Sequence, residues 1–382
     1  MREAERVPTV FTSSPRATVG VEWELQVIDP ANGALVPAAS RLLADLPPDS
    51  AATGKAKHEL FESIVEILTG VCRTVPDALA DLSGTIEALE RAAAERGLVL
   101  ACAGTHPFAR WQDQVVSPDP RYATLVADKQ WMARQLLITG VHVHVGVRAQ
   151  DRVIPILNAV TAHLPVFLAL SASSPFWVGE DTGLASIRSK LFEGLPTAGL
   201  PYQFADWEAF SDYLDTLVTA GAVHSIRDLW WDARPHPDFG TVELRVCDGL
   251  ATLAEVGMVA ALYHALVVSL DEALDAGLPL RCDPPWVVRE NKWRAARYGL
   301  DAQLVSGDGR APVAVRSIVA DLIEELSPVA QRIGCGEQLA GIGGLLANGG
   351  GATRQRAAAG RGGDPVAAVA MLVAEFQARH PL

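Results

Sequence analysis

Three well-separated stretches of the chain carry titratable side chains two residues apart inside frames of apolar residues. Glu22 and Glu24 alternate with Val21, Trp23, Leu25 and Val27; His142 and His144 alternate with Val141, Val143, Val145 and Val147; Glu243 and Arg245 alternate with Val242, Leu244 and Val246. Strand side chains point alternately to two faces, so each stretch offers an apolar face to a core and its titratable groups to the other side. One such stretch says little, because half-buried antiparallel strands commonly alternate in this way. The residue types say more. Carboxylates two residues apart on one face repel each other unless a cation lies between them. A fourth stretch, His58 to Ile67, adds Glu59, Glu62 and Glu66. Glu66 is enclosed by Ile64, Val65, Ile67 and Leu68, where an unpaired charge is costly. Positions 59, 62 and 66 also fit an acidic helical stripe facing water, so spacing leaves Glu59 and Glu62 open.

A donor set of carboxylates with one or two imidazoles and no thiolates suits a hard divalent ion, Mg²⁺ or Mn²⁺, more than zinc. Magnesium in such sites usually bridges protein carboxylates to nucleotide phosphates. Basic residues that could hold phosphate or carboxylate surround these strands: Arg188 and Lys190, Arg234, Arg245, Arg289, Lys292, Arg294 and Arg297. Arginine forks bind both anions in a bidentate way, although Arg294 and Arg297 also read as one face of a solvated helix.

The elements that must position these groups are legible in outline. Thr18–Asp29, Leu98–Gly104, Thr139–Val147 and Thr241–Cys247 read as strands. Helical patterns cover Pro76–Gly97, Tyr122–Leu137, Pro155–Ser171, Asp206–Thr219, Leu253–Asp275, Val313–Ile333 and Pro365–Arg379. The strands are far apart and form no regular βαβ series, which predicts an α+β fold with a mainly antiparallel sheet. Residues 1–17 read as a loose arm and 18–382 as a single catalytic domain. The Gly-, Ala- and Arg-rich stretch 341–363 reads as a mobile loop; with no strand before it and no Lys-Ser/Thr after it, it makes a weak phosphate-loop motif.

The net charge of -13 argues against nonspecific binding to nucleic acid or to an anionic membrane. No apolar run reads as a membrane span, and the stretch Leu164–Leu170 is short and broken by Pro165. The N-terminus carries no export pattern, and five scattered cysteines form neither a zinc motif nor a disulfide framework. A cytoplasmic location is the expectation.

At these residues the chain resembles the carboxylate–amine ligases called glutamate–cysteine ligase type 2, relatives of glutamine synthetase. The resemblance runs from about Thr18 to about Ala302 through GVEWEL (20–25), ELFESIVEI (59–67), AGTHPFARW (103–111), GVHVHVG (140–146), LALSASSPFW (168–177), WWDARPHPDFGTVELRVCDG (230–249) and NKWRAARYGLDA (291–302). It implies a glutamine-synthetase-like domain, a curved antiparallel sheet lining a funnel and flanked by helices. ATP, two or three Mg²⁺ ions and an acyl-phosphate intermediate come with it. Carried over by position, Glu22, Glu24, Glu59, Glu66, His142 and Glu243 are the metal ligands, and the family's seven-residue spacing favours Glu59 over Glu62. His144, Arg188 and Lys292 fall to the nucleotide, and Arg245 and Arg234 to the transferred phosphate or the substrate carboxylate. The implied substrates are an amino-acid carboxylate such as glutamate and an amine such as cysteine, and the implied assembly is a homodimer.

The chemistry follows from what a carboxylate needs. Its charge repels an amine and oxide is a poor leaving group; phosphorylation by ATP supplies a good one, with Mg²⁺ and arginine neutralising the charge in transit. Three other readings fit parts of the pattern: a metal-dependent amide hydrolase that ignores ATP, phosphoryl transfer to a nitrogen, and a noncatalytic sensor of ATP and metal.

Overall fold

A computed structural model of the 382-residue chain describes residues 10–14, 17–48 and 52–381. Its centre is an antiparallel sheet, built as the alternating stretches require. Strand β1 (Val19–Ile28) pairs with β3 (Ile64–Leu68) on one side and with β5 (Val141–Gly146) on the other, while β2 (Ala56–His58) extends the sheet beyond β3. The far half of β1 also pairs with β4 (Val99–Ala101). Past a separate two-residue pair, β6 (Phe176–Trp177) with β7 (Glu180–Asp181), strands β8 (Ala233–His236) and β9 (Thr241–Leu244) form a hairpin that joins β5 through β9. The spatial order is β2-β3-β1-β5-β9-β8, and every pairing is antiparallel. The expected α+β architecture is the observed one.

One face of this sheet is apolar across β1, β3, β5 and β9. Val21, Trp23, Leu25, Val65, Ile67, Val141, Val143, Val145, Val242 and Leu244 are all buried in the main core. Helices Val75–Ala94, Gln150–Thr161 and Leu253–Asp275 contact this sheet. Each fully buried Val or Leu contributes about 1.5–3 kcal/mol relative to exposure, so the alternation is strongly held. Local signals start the helices where the sequence places them. At the first of these helices the Thr74 side chain accepts from Asp77 N while Asp77 accepts from Thr74 N, a reciprocal cap. At the last, Thr252 accepts from Glu255 N.

Several expectations change. Tyr122–Leu137 is two helices, Pro120–Lys129 and Trp131–Arg134, separated by Gln130 at φ 49°. Pro155–Ser171 is also two, Gln150–Thr161 and Leu164–Ser171, bent by 58°. Pro165, which lacks a backbone donor, sits in the first turn of the second. Leu253–Asp275 is long and apolar enough to cross a membrane, with mean hydropathy 1.8, yet 72% of that window is buried inside the protein. It is a core helix.

The stretch 341–363 is largely helical. Gly336–Asn348 and Gly351–Ala359 are helices, the first burying Leu339, Ile342 and Leu345. The second is fixed by half-buried Arg354, whose guanidinium donates to Glu375 (2.8 Å) and Glu255 (2.7 Å). Packing outweighs the roughly 1 kcal/mol cost of each glycine.

The N-terminal expectation falls partly on residues 1–9, 15 and 16, which lie outside the described residues. Residues 10–14, expected to be loose, are fastened. Phe11 is buried edge-on against Trp207 (centroids 5.4 Å), Thr12 N donates to Pro237 O (2.9 Å) and Ser14 N to Val147 O (2.9 Å). This segment crosses the β8–β9 turn so closely that a side chain at Gly240 (φ 66°) would collide with Thr12 O.

Candidate active site

The second face of the sheet carries the titratable groups, and the strand register sets them in rows. Glu24 lies opposite Glu66, and Glu66 opposite Lys57. Glu22 lies opposite His142, His144 opposite Glu243, and Glu243 opposite Arg234. These residues line one cavity, together with Glu59, Arg121, Tyr122, Arg188, Arg227 and Trp230.

At its centre, ligand atoms of Glu22, His142 and Glu243 lie within 4.8 Å of one another. His142 Nδ1 is 3.0 Å from Glu22 Oε2, and His144 Nε2 is 3.4 Å from Glu22 Oε1. His144 Nε2 is buried and makes no well-formed hydrogen bond among the described residues, while its Nδ1 is 3.0 Å from Thr241 Oγ1. Glu243 is clamped between two guanidinium groups: Arg234 donates to Oε2 at 2.8 and 3.1 Å, and Arg245 donates to Oε1.

The electrostatics split the carboxylates into two groups. Burial would raise Glu243, but Arg234, Arg245 and His144 hold it well below the usual carboxylate range. Burial acts on Glu22 in the same direction and is outweighed by the imidazoles of His142 and His144, which hold it low. Glu24 goes the other way, pushed up to about 8 by burial and by the charge of Glu59. Glu66 is raised well above the ordinary value by burial and by Glu22 and Glu59, and burial raises Glu59 as well. His142 is lowered to about 4 by burial and the nearby Arg245; on His144 burial is outweighed by Glu243 and Glu22, and its pKa rises. Carboxylates this crowded must take up protons or share cations. The donor set, with an imidazole nitrogen left without a good partner facing it, fits hard divalent ions.

All the residues expected at the site line this cavity except Lys292. Its ammonium is buried between Asp232 Oδ2 (2.5 Å) and Glu193 Oε1 (2.6 Å), which corrects its expected place at a nucleotide. Asp232 O in turn accepts from Arg245 N (2.8 Å) and Val246 N (3.0 Å), so Lys292 braces the backbone of the arginine wall. Arg188 reaches the cavity across Gly140, where a side chain would meet the guanidinium; NH1 and NH2 donate to Val246 O and Arg245 O. Between the two open glutamates, Glu59 lines the cavity and its Oε2 accepts from Tyr122 Oη (3.2 Å). Glu62 turns away, accepting from Ser40 N (3.1 Å) and Ser40 Oγ (2.6 Å).

Sequence reading missed Lys57, Arg121, Tyr122, Arg227, His236 and Phe239. Lys57 Nζ is 3.0 Å from Glu66 Oε2, and the His236 and Phe239 rings stack in parallel at 3.9 Å beside His144. A signal existed for two of them. Arg234 and His236 share a strand parity, and Lys57 adjoins the acidic stretch that begins at His58.

With this geometry in view, residues 18–368 match the family model described as glutamate–cysteine ligase family 2. A protein of Frankia alni provisionally named glutamate–cysteine ligase 2-1 is 51% identical over 375 residues, covering 97% of this chain and 98% of its own. One from Thermobifida fusca, provisionally named glutamate–cysteine ligase 2, is 50% identical over 373 residues, covering 97% and 94%. Among solved structures, a glutamate–cysteine ligase from Francisella tularensis in complex with AMP superposes with TM-score 0.67 at 12% identity, covering 97% of this chain and 90% of that one. A bifunctional glutathione synthetase from Pasteurella multocida gives TM-score 0.65 at 15% identity, covering 96% and 53%. At those identities the two structures speak for the fold.

Proposed function

The chain belongs to glutamate–cysteine ligase family 2, and from that membership we propose that it is an ATP-dependent carboxylate–amine ligase working through an acyl phosphate in the cavity on its sheet. The observation that carries this reading is the Glu22–His142–Glu243 cluster, flanked by Arg234 and Arg245 within a set of crowded carboxylates. Glu22, His142 and Glu243 would hold one divalent cation, with Glu24, Glu59 and Glu66 as ligands for further ions. Bound there, Mg²⁺ would neutralise the phosphate oxygens of ATP.

The protein's own groups then act by position and charge. A carboxylate oxygen of the acid attacks the γ-phosphorus, and the bond to ADP breaks. Arg245 and Arg188 face the space where charge accumulates on the phosphoryl group. The amine nitrogen attacks the carbonyl carbon, the C–O bond to phosphate breaks, and the amine yields a proton as the amide forms. Glutamate as acid and cysteine as amine are the pair that the relatives' names suggest.

Two assays test this: ADP release in the presence of ATP, Mg²⁺, an acid and an amine, and trapping of the activated acid by hydroxylamine as a hydroxamate. Stoichiometric ADP and amide, together with hydroxamate, is the expected result. Amide formation without ADP, or amide cleavage without ATP, would overturn the reading.

A further inference from the structure

The cavity has two chemically different ends. Strand β5 runs through it, with His144 near one end beside His236 and Phe239. Beyond the other end of the strand, past His142, come Ile138 and Leu136. There the lining turns apolar. Phe192 and Leu195 follow Arg188, Leu125 projects from helix Pro120–Lys129, and Trp230 completes the wall. These side chains belong to one contiguous apolar cluster, separate from the main core. Leu125, Phe192 and Trp230 are only half-buried, so the cluster keeps open surface toward the cavity.

Two cations stand at the rim of this lobe. Arg121 lies one turn before Leu125 on the same helix, and Arg227 shortly before Trp230. Both are exposed, and neither guanidinium forms an ion pair among the described residues. The other cavity arginines contrast with them: Arg234 and Arg245 are committed to Glu243, and Arg188 to backbone carbonyls.

Granted the ligase reading above, we infer that the substrate body seated beside the reacting carbonyl is apolar, branched-aliphatic or aromatic, and that the free carboxylate of an amino-acid amine is held at the rim by Arg121 or Arg227. The reacting carboxylate must meet the cation cluster and Arg245. Whatever the reacting molecules carry beyond that point extends away from the phosphates, into the lobe. A small polar body there would leave its polar atoms facing Leu125, Phe192 and Trp230 without partners, whereas an apolar body covers their open surface. The apolar body can belong to the amine or to the acid, and the cavity chemistry is the same for both.

The test uses the full chain with ATP and Mg²⁺ in two arms. In one, glutamate is the acid and leucine, phenylalanine, cysteine and serine are compared as amines by ADP release and amide mass. In the other, leucine, phenylalanine, glutamate and serine are compared as acids, with hydroxylamine as the common nucleophile. In one arm, kcat/KM for leucine or phenylalanine is expected to exceed that for each polar competitor in that arm at least about tenfold, the discrimination an apolar pocket gives for a small change in side chain. Leu125→Gln is expected to shrink that ratio, and Leu125→Trp, which fills the lobe, to penalise phenylalanine more than serine. Both variants should keep wild-type Mg-ATP affinity by calorimetry, which also reports folding. Equal or better turnover of serine, cysteine or glutamate in both arms overturns this inference and leaves the ligase reading standing. No ADP release with any pair overturns both.

Discussion

Glu24 and Glu66 face each other directly across the β1–β3 pairing, two carboxylates on one side of the sheet with Lys57 beside them at its edge. Burial and the neighbouring carboxylates raise the pKa of both, and keeping such groups in place at neutral pH costs stability. Glu24→Gln should therefore stabilise the metal-free protein by about 1 kcal/mol. The same change should reduce the rise in Tm that Mg²⁺ or Mn²⁺ gives the wild type. Thermal melts with and without the ion measure both effects, and a variant less stable than wild type without metal would sink the idea.

Glu22 touches both histidines of β5, at 3.0 and 3.4 Å. Glu22→Gln keeps the shape and removes the charge that a divalent ion needs. ADP release should fall by about 100-fold or more, in line with the loss of one preorganised charge at a reaction centre. Circular dichroism should show an unchanged fold.

Arg245 donates to Glu243 while facing the cavity. Lysine at this position keeps the charge and loses the fork. Arg245→Lys should cost kcat by about 100-fold, with Mg-ATP affinity changed much less. A larger effect on affinity than on kcat would assign Arg245 to nucleotide binding.

Lys292 offsets two carboxylates, and Lys292→Met strands Asp232 at 4% exposure. Destabilisation of about 3 kcal/mol is expected in urea melts, with Lys292→Arg intermediate. A stable, inactive Lys292→Met protein would instead return Lys292 to the reaction itself.

His106 is buried, with its Nε2 2.8 Å from Gly33 O and its Nδ1 accepting from Ala109 N (3.0 Å). Burial lowers its pKa to about 4, whereas in the unfolded chain it is about 6.5. The unfolded state therefore binds the proton first. The stability contribution is full above about pH 6.5 and is lost as pH falls toward 4, on the order of 3 kcal/mol in total. Urea melts between pH 7 and pH 4 should show this slope, flattened in His106→Gln.

The sheet face was legible because alternation is local: Val21-Glu22-Trp23-Glu24 states its own two sides. The acidic stretch was not. Glu62 and Glu66 share a strand parity, yet Glu62 lies before β3, in a turn where Ser40 captures it, and Glu59 enters the cavity instead. Arg121 and Arg227 arrive from a helix and a turn brought over the sheet by tertiary closure, which no spacing encodes. Glycines misled at 341–363, because the burial of Leu339, Ile342 and Leu345 supplies what helix propensity lacks. Lys292 looked like a phosphate ligand since a lone lysine in a sequence does not display its two carboxylate neighbours.

The pairing of β1 with β5 sets both the core and the site, Val21 against Val143 on one face and Glu22 against His142 on the other. A slip of one residue would turn His142 and His144 into the core and the valines into the cavity. Misregistered chains would thus lose their hydrophobic layer together with their chemistry. Such molecules should melt or be degraded and not persist as well-folded but silent copies, so that the soluble fraction of a preparation reports its active fraction.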